Sequence, residues 1–231
     1  MEKIMSKIKV ILLDIDNTIL DFNKSAKKAV EIAFNICGLE YNDNTFNVFI
    51  EQNDKLWQRI ERGELTRQEL HKIRFQTIFN VLGIKGDGEK AEIEFRKALF
   101  NIAEPVDGAL EIVKYLSRKY KVYSASNAIY NQQINRLNIA GMFEYFSGFF
   151  VSEKIGYQKP TKQFFDYCFK NLNGIKKEQA IMIGDSLTAD ILGAKNYGIK
   201  SVWFNREAQK NVQKITPDFT VDNLEQIKNI L

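Results

Sequence analysis

The chain has one histidine, His71, and two cysteines, Cys37 and Cys168, among its 231 residues. A single histidine excludes a His-rich zinc site and argues against a Ser-His-Asp triad with a second base to spare. Both cysteines fall on apolar stripes of predicted helices, where a thiol behaves as a small buried hydrophobe. Neither a disulfide nor a Cys-ligated metal is therefore expected, and His71 is expected at a surface position on a helix. No apolar run approaches the roughly 20 residues needed to cross a bilayer, and the opening residues lack the apolar segment and small-residue cleavage pattern of a signal peptide. The expectation is a cytoplasmic protein with no membrane partner. Charge of one sign is scarce too: 33 basic residues face 29 acidic ones, for a net charge of +4. They are dispersed rather than blocked, so a nucleic-acid polymer is not an expected partner. A small anionic ligand needs only a local excess of positive charge.

What is present is an ordinary globular composition, 45% hydrophobic and 27% charged, in a chain long enough for a core domain plus a smaller insertion. The most informative stretch is Lys9 to Thr18, KVILLDIDNT. Val10 to Leu13 are continuously apolar, as in a strand buried on both faces of a parallel sheet. Asp14 and Asp16 then interrupt the run. If the extended geometry persists, the two carboxylates share a face with alpha carbons roughly 7 Å apart, an unfavourable pairing without a cation or a proton between them. A turn capped by Asp and Asn explains the same ten residues equally well.

After a short connection the pattern becomes helical over residues 21–103. Ala26, Ala29, Val30, Ala33 and Phe34 recur at helical spacing and stop at Gly38. Phe46, Phe49, Leu56 and Ile60 mark a second helix. Thr66 and Glu69 form a capping-box sequence for a third, which ends at Gly83, and Ala91, Phe95 and Leu99 mark a fourth. From Val106 onward strands and helices alternate, the signature of a doubly wound sheet. Predicted strands lie at Lys121 to Ala125, Phe149 to Val151, Ala180 to Ile183, Ser201 to Phe204 and Phe219 to Val221. A helix spans Thr188 to Tyr197 and another runs to Leu231. The expected architecture is α/β: a Rossmann-like doubly wound parallel sheet formed by residues 1–20 and 104–231, with an all-helical domain inserted at 21–103.

In such sheets ligands bind beyond the carboxyl ends of the strands, and polar residues recur there. Asp14 and Asp16 follow one strand, Ser126 and Asn127 a second, Asp185 and Ser186 a third, while Lys159 lies in the loop after a fourth. Each has a plain alternative. Ser126 and Asn127 can cap the next helix, Asp185 can serve a turn, Asp190 can be an acid in a helix's first turn, and a lone loop lysine is usually solvated. Their joint occurrence in this order is what the plain alternatives leave unexplained. Carboxylates without His or Cys favour a hard divalent cation, magnesium above all, and the lysine and hydroxyl suit a phosphate.

These motifs resemble those of the haloacid dehalogenase superfamily over nearly the whole chain. DIDNT is similar to its first motif, Ser126-Asn127 to the second, Lys159-Pro160 to the third and GDSLTAD at Asp185 to Asp190 to the fourth. The resemblance implies Asp14 as nucleophile and Asp16 as general acid and base. It also implies that Ser126, Asn127 and Lys159 bind phosphate, and that Asp14, the Asp16 backbone carbonyl and Asp185 hold Mg2+. Asp190 is implied as a group holding Lys159 or the metal ligands in place, and the helical insertion as a cap. Dehalogenases and phosphonate hydrolases lack an acid at the position of Asp16, so a small phosphate ester is the implied substrate. The combination of DIDNT, GDSLTAD and the cap stretch WQRIERGELTRQELHKIRF resembles the bacterial pyrimidine 5′-nucleotidase branch, which implies a nucleoside 5′-monophosphate. A phosphosugar phosphatase or mutase could use the same residues, and a non-catalytic binding protein is the alternative from another class. Trp57, Arg62, Arg67, Arg74 and Phe75 could meet a base, although aromatics at helical spacing are more often core. The oligomeric state is left open.

Overall fold

The computed structural model describes residues 7–231; residues 1–6, part of the expected 1–20 segment and of the opening read for a leader, lie outside the described residues. The chain divides into two compact units, one formed by the segment ending at Asp21 with Pro105–Leu231, the other by Phe22–Glu104.

The first unit is built on six parallel strands: β1 (Val10–Leu13), β2 (Lys121–Ser126), β3 (Gly148–Val151), β4 (Ala180–Gly184), β5 (Lys200–Phe204) and β6 (Phe219–Val221). Their order across the sheet is β3-β2-β1-β4-β5-β6, the doubly wound arrangement expected from the alternation. β1 lies between β2 and β4, which explains why all four of its residues are buried and why an apolar-polar alternation is missing from it. The order reverses beside β1. Leu13 is in register with Ser124 on one side and Ile183 on the other, so the next residues out of all three strands emerge at one edge. One apolar layer gathers Val10, Leu12 and Met182 with Phe164, Phe165 and Cys168.

The connecting helices are α5 (Ala109–Lys119), α6 (Tyr130–Ile139), a one-turn α7 (Ser152–Ile155), α8 (Lys162–Asn171) and α9 (Leu192–Tyr197), following the four helices of the second unit. The helix predicted from Thr188 is interrupted: Leu187–Ile191 forms a π turn before α9 begins. The cause is local, because the Asp190 carboxylate folds back to accept the Ser186 backbone N–H at 3.0 Å. The terminal helix is likewise a 3-10 segment, Leu224–Asn229, capped by the Asn223 side chain.

The second unit comprises α1 (Phe22–Ile36), α2 (Asp43–Glu61), α3 (Arg67–Leu82) and α4 (Gly88–Phe100). Its core is aromatic: Phe34, Phe49, Phe75, Phe79 and Phe95 pack together with Ala26, Ala29 and Ala33. The Thr66–Glu69 capping box predicted for α3 forms, and α2 carries another between Asn42 and Thr45. Gly88 starts α4 where a side chain cannot fit, since a Cβ there would lie 2.6 Å from the Gln76 backbone nitrogen.

One residue of this unit differs in place from what its sequence suggests. His71 is not a surface residue: its Nδ1 lies 2.8 Å from Glu92 Oε1 in a largely buried setting. Glu92 also receives Arg74, whose Nε and Nη2 donate at 3.0 and 2.7 Å, while Arg74 Nη1 donates to Asn53 Oδ1 at 3.0 Å. Arg74 and Phe75 are both interior, the guanidinium lying 4.6 Å from the Phe95 ring centre. Trp57 packs beside Leu56, Ile60, Leu65 and Leu70, and Arg62 pairs with Glu64.

Candidate active site

The strand-end residues meet at the carboxyl edge of β1, β2 and β4. The extended geometry of β1 stops at Leu13, and the chain turns at once: the Ile15 carbonyl accepts N–H groups from Thr18, Ile19 and Leu20, with Asn17 at φ 57. Asparagine tolerates that left-handed conformation better than most side chains. The two readings of DIDNT are therefore both realised, a tight turn and a carboxylate site. Within this stretch Asp14 and Asp16 engage different partners, Lys159 and Thr18 for the first and Arg136 and Gln133 for the second.

Asp14 is 7% exposed. Its Oδ1 accepts from Lys159 Nζ at 2.7 Å, and its Oδ2 lies 3.2 Å from Thr18 Oγ1, which is also 3.3 Å from Asp185 Oδ1. A hydroxyl has one proton, so Thr18 bridges the two carboxylates by sharing or alternating it. Lys159 is not a solvated loop lysine. It is 2% exposed, and its ammonium also donates to Asp190 Oδ1 at 2.6 Å. Asn127 fixes the backbone beneath it, donating from Nδ2 to the Lys159 carbonyl at 2.8 Å and accepting the Lys159 N–H on Oδ1 at 2.8 Å. Both polar ends of the Asn127 side chain are thus occupied in placing the lysine. Asp190 can reach this position only because residue 184 is glycine: a Cβ there would stand 2.1 Å from Asp190 Oδ2.

Oxygens of Asp14, Asp185 and Asp190 lie within 4.8 Å of one another, with one ammonium among three carboxylates. Burial, and after it the neighbouring carboxylates, push the Asp14 carboxyl up to about 7 against the opposing pull of Lys159. Asp185 is raised well above its ordinary range, by burial first and by Asp14 and Asp190 next. Burial opposes the Lys159 charge, yet Asp14 and Asp190 hold its pKa above that of a free lysine. An all-oxygen cluster, with Asp14 and Asp190 buried and Asp185 half-buried, and with an excess of negative charge is the donor set that a hard divalent cation requires, so the residues fit magnesium. Asp190 has both oxygens engaged, by Lys159 and the Ser186 N–H, as Asp14 has by Lys159 and Thr18.

Asp16 and Ser126 belong to a second arm. Asp16 Oδ1 accepts from Arg136 Nη1 at 2.5 Å and Oδ2 from Gln133 Nε2 at 2.5 Å, and Gln133 Nε2 lies 3.0 Å from Ser126 Oγ. Gln133 and Arg136 do not figure among the residues singled out from the sequence. The available signal was their spacing on α6: positions three apart share a helix face, here the one that also buries Leu137.

A six-stranded doubly wound sheet with this arrangement at its switch point defines a class, and the chain belongs to the haloacid dehalogenase-like hydrolases: that family's model matches residues 8–198. Among individual proteins, the HAD-hydrolase YfnB of Bacillus subtilis is 32% identical over 98% of this chain and 97% of its own length. The pyrimidine 5′-nucleotidase PynA of Streptococcus pneumoniae is 31% identical over 96% of this chain and 97% of its own. The crystal structure of YfnB bound to magnesium superposes with a TM-score of 0.92, covering 97% of this chain and 99% of that one. Among the described residues, no helix is long and apolar enough to cross a membrane.

Proposed function

We propose that this hydrolase is a magnesium-dependent phosphatase that cleaves a small phosphate monoester through an aspartyl phosphate on Asp14, and that its substrate is a pyrimidine nucleoside 5′-monophosphate in the cytoplasm. The observation that carries the reaction is the Asp14 carboxylate itself, buried, oriented by Lys159 on one oxygen and Thr18 on the other, and surrounded by more negative charge than the chain neutralises. The nucleotide assignment is supported by the full-length similarity to PynA.

In this mechanism Asp14, Asp185 and the Asp16 backbone carbonyl would hold the metal. When bound, magnesium supplies the positive charge that lets an anionic nucleophile approach an anionic phosphate. Lys159 adds a fixed ammonium beside Asp14, and the Ser126 hydroxyl donates to a phosphate oxygen. An Asp14 oxygen forms a bond to phosphorus as the bond to the leaving alkoxide breaks, and Asp16 gives that alkoxide its proton. Asp16 then takes a proton from water, whose oxygen displaces Asp14 and releases inorganic phosphate. Asn127 and Asp190 act through Lys159, one on its backbone and the other on its ammonium.

Phosphate release from nucleoside monophosphates, sugar phosphates and triose phosphates, with magnesium or with a chelator, tests the proposal. Uridine and thymidine 5′-monophosphates should be preferred, and activity should vanish with the chelator. Undiminished turnover without a divalent metal would refute the metal role, and a preference for sugar phosphates would refute the substrate. Isomerised product in place of free phosphate would identify a mutase.

A further inference from the structure

We infer that Gln133 and Arg136, on one face of α6, are positioning residues that set the Asp16 carboxylate and the Ser126 hydroxyl in one fixed chain behind the reacting phosphate. This rests on the phosphatase assignment above, which gives Asp16 a proton to deliver to the leaving oxygen.

The geometry is specific. Arg136 Nη1 donates to Asp16 Oδ1 at 2.5 Å and to Gln133 Oε1 at 3.2 Å. Because the Gln133 amide oxygen accepts from the guanidinium, its nitrogen must point the other way, toward Asp16 Oδ2 at 2.5 Å and Ser126 Oγ at 3.0 Å. Both carboxylate oxygens of Asp16 are then held, which fixes the plane of the group, and the same amide fixes the serine. The plain alternative is an ion pair that docks α6 on the sheet. Exposure argues against it: the Arg136 side chain is 0% exposed while that of Asp16 is 31% exposed. A docking pair buries both ends, as Arg74 and Glu92 do at 4% each. Here the cation is hidden and the carboxylate reaches the edge, the arrangement of a working group gripped from behind. A buried guanidinium 120 residues distant in sequence is also costly to place without such a partner.

An acid that protonates the leaving oxygen matters most when that oxygen is strongly basic. The test is therefore kcat/KM, which reports transfer to Asp14, for aryl phosphates from p-nitrophenyl to phenyl phosphate with saturating magnesium. The full chain is compared with Arg136→Met, Arg136→Lys and Gln133→Met, and melting temperature is followed alongside. Arg136→Met should lose about 10- to 100-fold on phenyl phosphate but under about 3-fold on p-nitrophenyl phosphate. Arg136→Lys, which keeps the charge without the fork, should recover most of the loss. Gln133→Met should steepen the same dependence and decides the matter if Arg136→Met does not fold. Folded variants whose losses are uniform across the series, or absent, would overturn the inference while the phosphatase assignment stands. A wild-type chain releasing phosphate neither from this series nor from uridine 5′-monophosphate would remove both together.

Discussion

Each unit of this protein buries a cluster of charge, and the two clusters differ in balance. In the helical unit, Glu92 receives a two-point contact from Arg74 and a ring nitrogen of His71, and Arg74's remaining reach is used on Asn53. Burial works to raise the Glu92 carboxyl, but Arg74 and His71 outweigh it and hold it below the ordinary range. In the sheet unit, three carboxylates share one ammonium, and two of them are driven up rather than down. A buried pair that satisfies itself is architecture. A buried cluster that needs another charge is a candidate site, because such an arrangement is unfavourable on its own.

The comparison can be broken first at its reactive end. Asp14→Asn should abolish phosphate release by about four orders of magnitude or more, while the metal-free protein melts at the same temperature or higher because a repelled carboxylate has been removed. Arg74→Ala should do the reverse. It strands Glu92 in the interior and should cost about 3–5 kcal/mol of stability, read by denaturant titration. If Asp14→Asn destabilised the fold and Arg74→Ala did not, the division into site and architecture would be mistaken.

Magnesium sharpens the same contrast through pH. Asp14 has a folded-state pKa of about 7 against an ordinary 3.8, so the metal-free fold favours its protonated form. Relative to that form, stability from this group is lost as pH rises from the ordinary value through about 7. A cation must displace the proton at low pH and meets a ready carboxylate at high pH. Magnesium should therefore raise the melting temperature more at pH 8 than at pH 5, with the effect reduced in Asp185→Asn. An equal rise at both pH values, unchanged by that substitution, would place the ion elsewhere.

Much of this was legible in the sequence where the signal is local. Continuous apolar runs predicted the strands because a strand covered on both faces has no polar alternation, and Asp14 and Asp185 stood out as polar residues at the ends of such runs, with Lys159 in the loop beyond another. The helical insertion was equally plain from spacing and from Thr66 and Glu69. What escaped depends on partners far along the chain. Arg136 looks like an ordinary exposed helix charge until Asp16 is placed beside it, and the burial of Lys159, itself a candidate from the sequence, shows only once Asp14 and Asp190 enclose it. His71 was misplaced for the same reason: Glu92, on another helix, draws it inward beside Arg74. The π turn was hidden because the Asp190 side chain folds back onto the Ser186 N–H, a contact that no periodicity records.

The smallest effect belongs to His71. As a carboxylate only accepts, Nδ1 donates to Glu92 at 2.8 Å, which leaves Nε2 bare of a proton in the neutral ring, and Nε2 is buried with no hydrogen-bond partner among the described residues. Protonating the ring would put a donor there with nothing to receive it. Burial accordingly lowers the His71 pKa from its ordinary 6.5, despite the opposing attraction of Glu92. The sign follows directly: the folded chain holds the proton less tightly than the unfolded one, so the contribution is complete above the ordinary value and is lost as pH falls through and below it. The melting temperature should decline modestly between pH 7 and pH 5, and His71→Gln, which can still donate to Glu92 but cannot titrate, should flatten part of that decline. An identical pH dependence in the two proteins would show that His71 does not set it, and the helical cluster would then owe its balance to Arg74 and Glu92 alone.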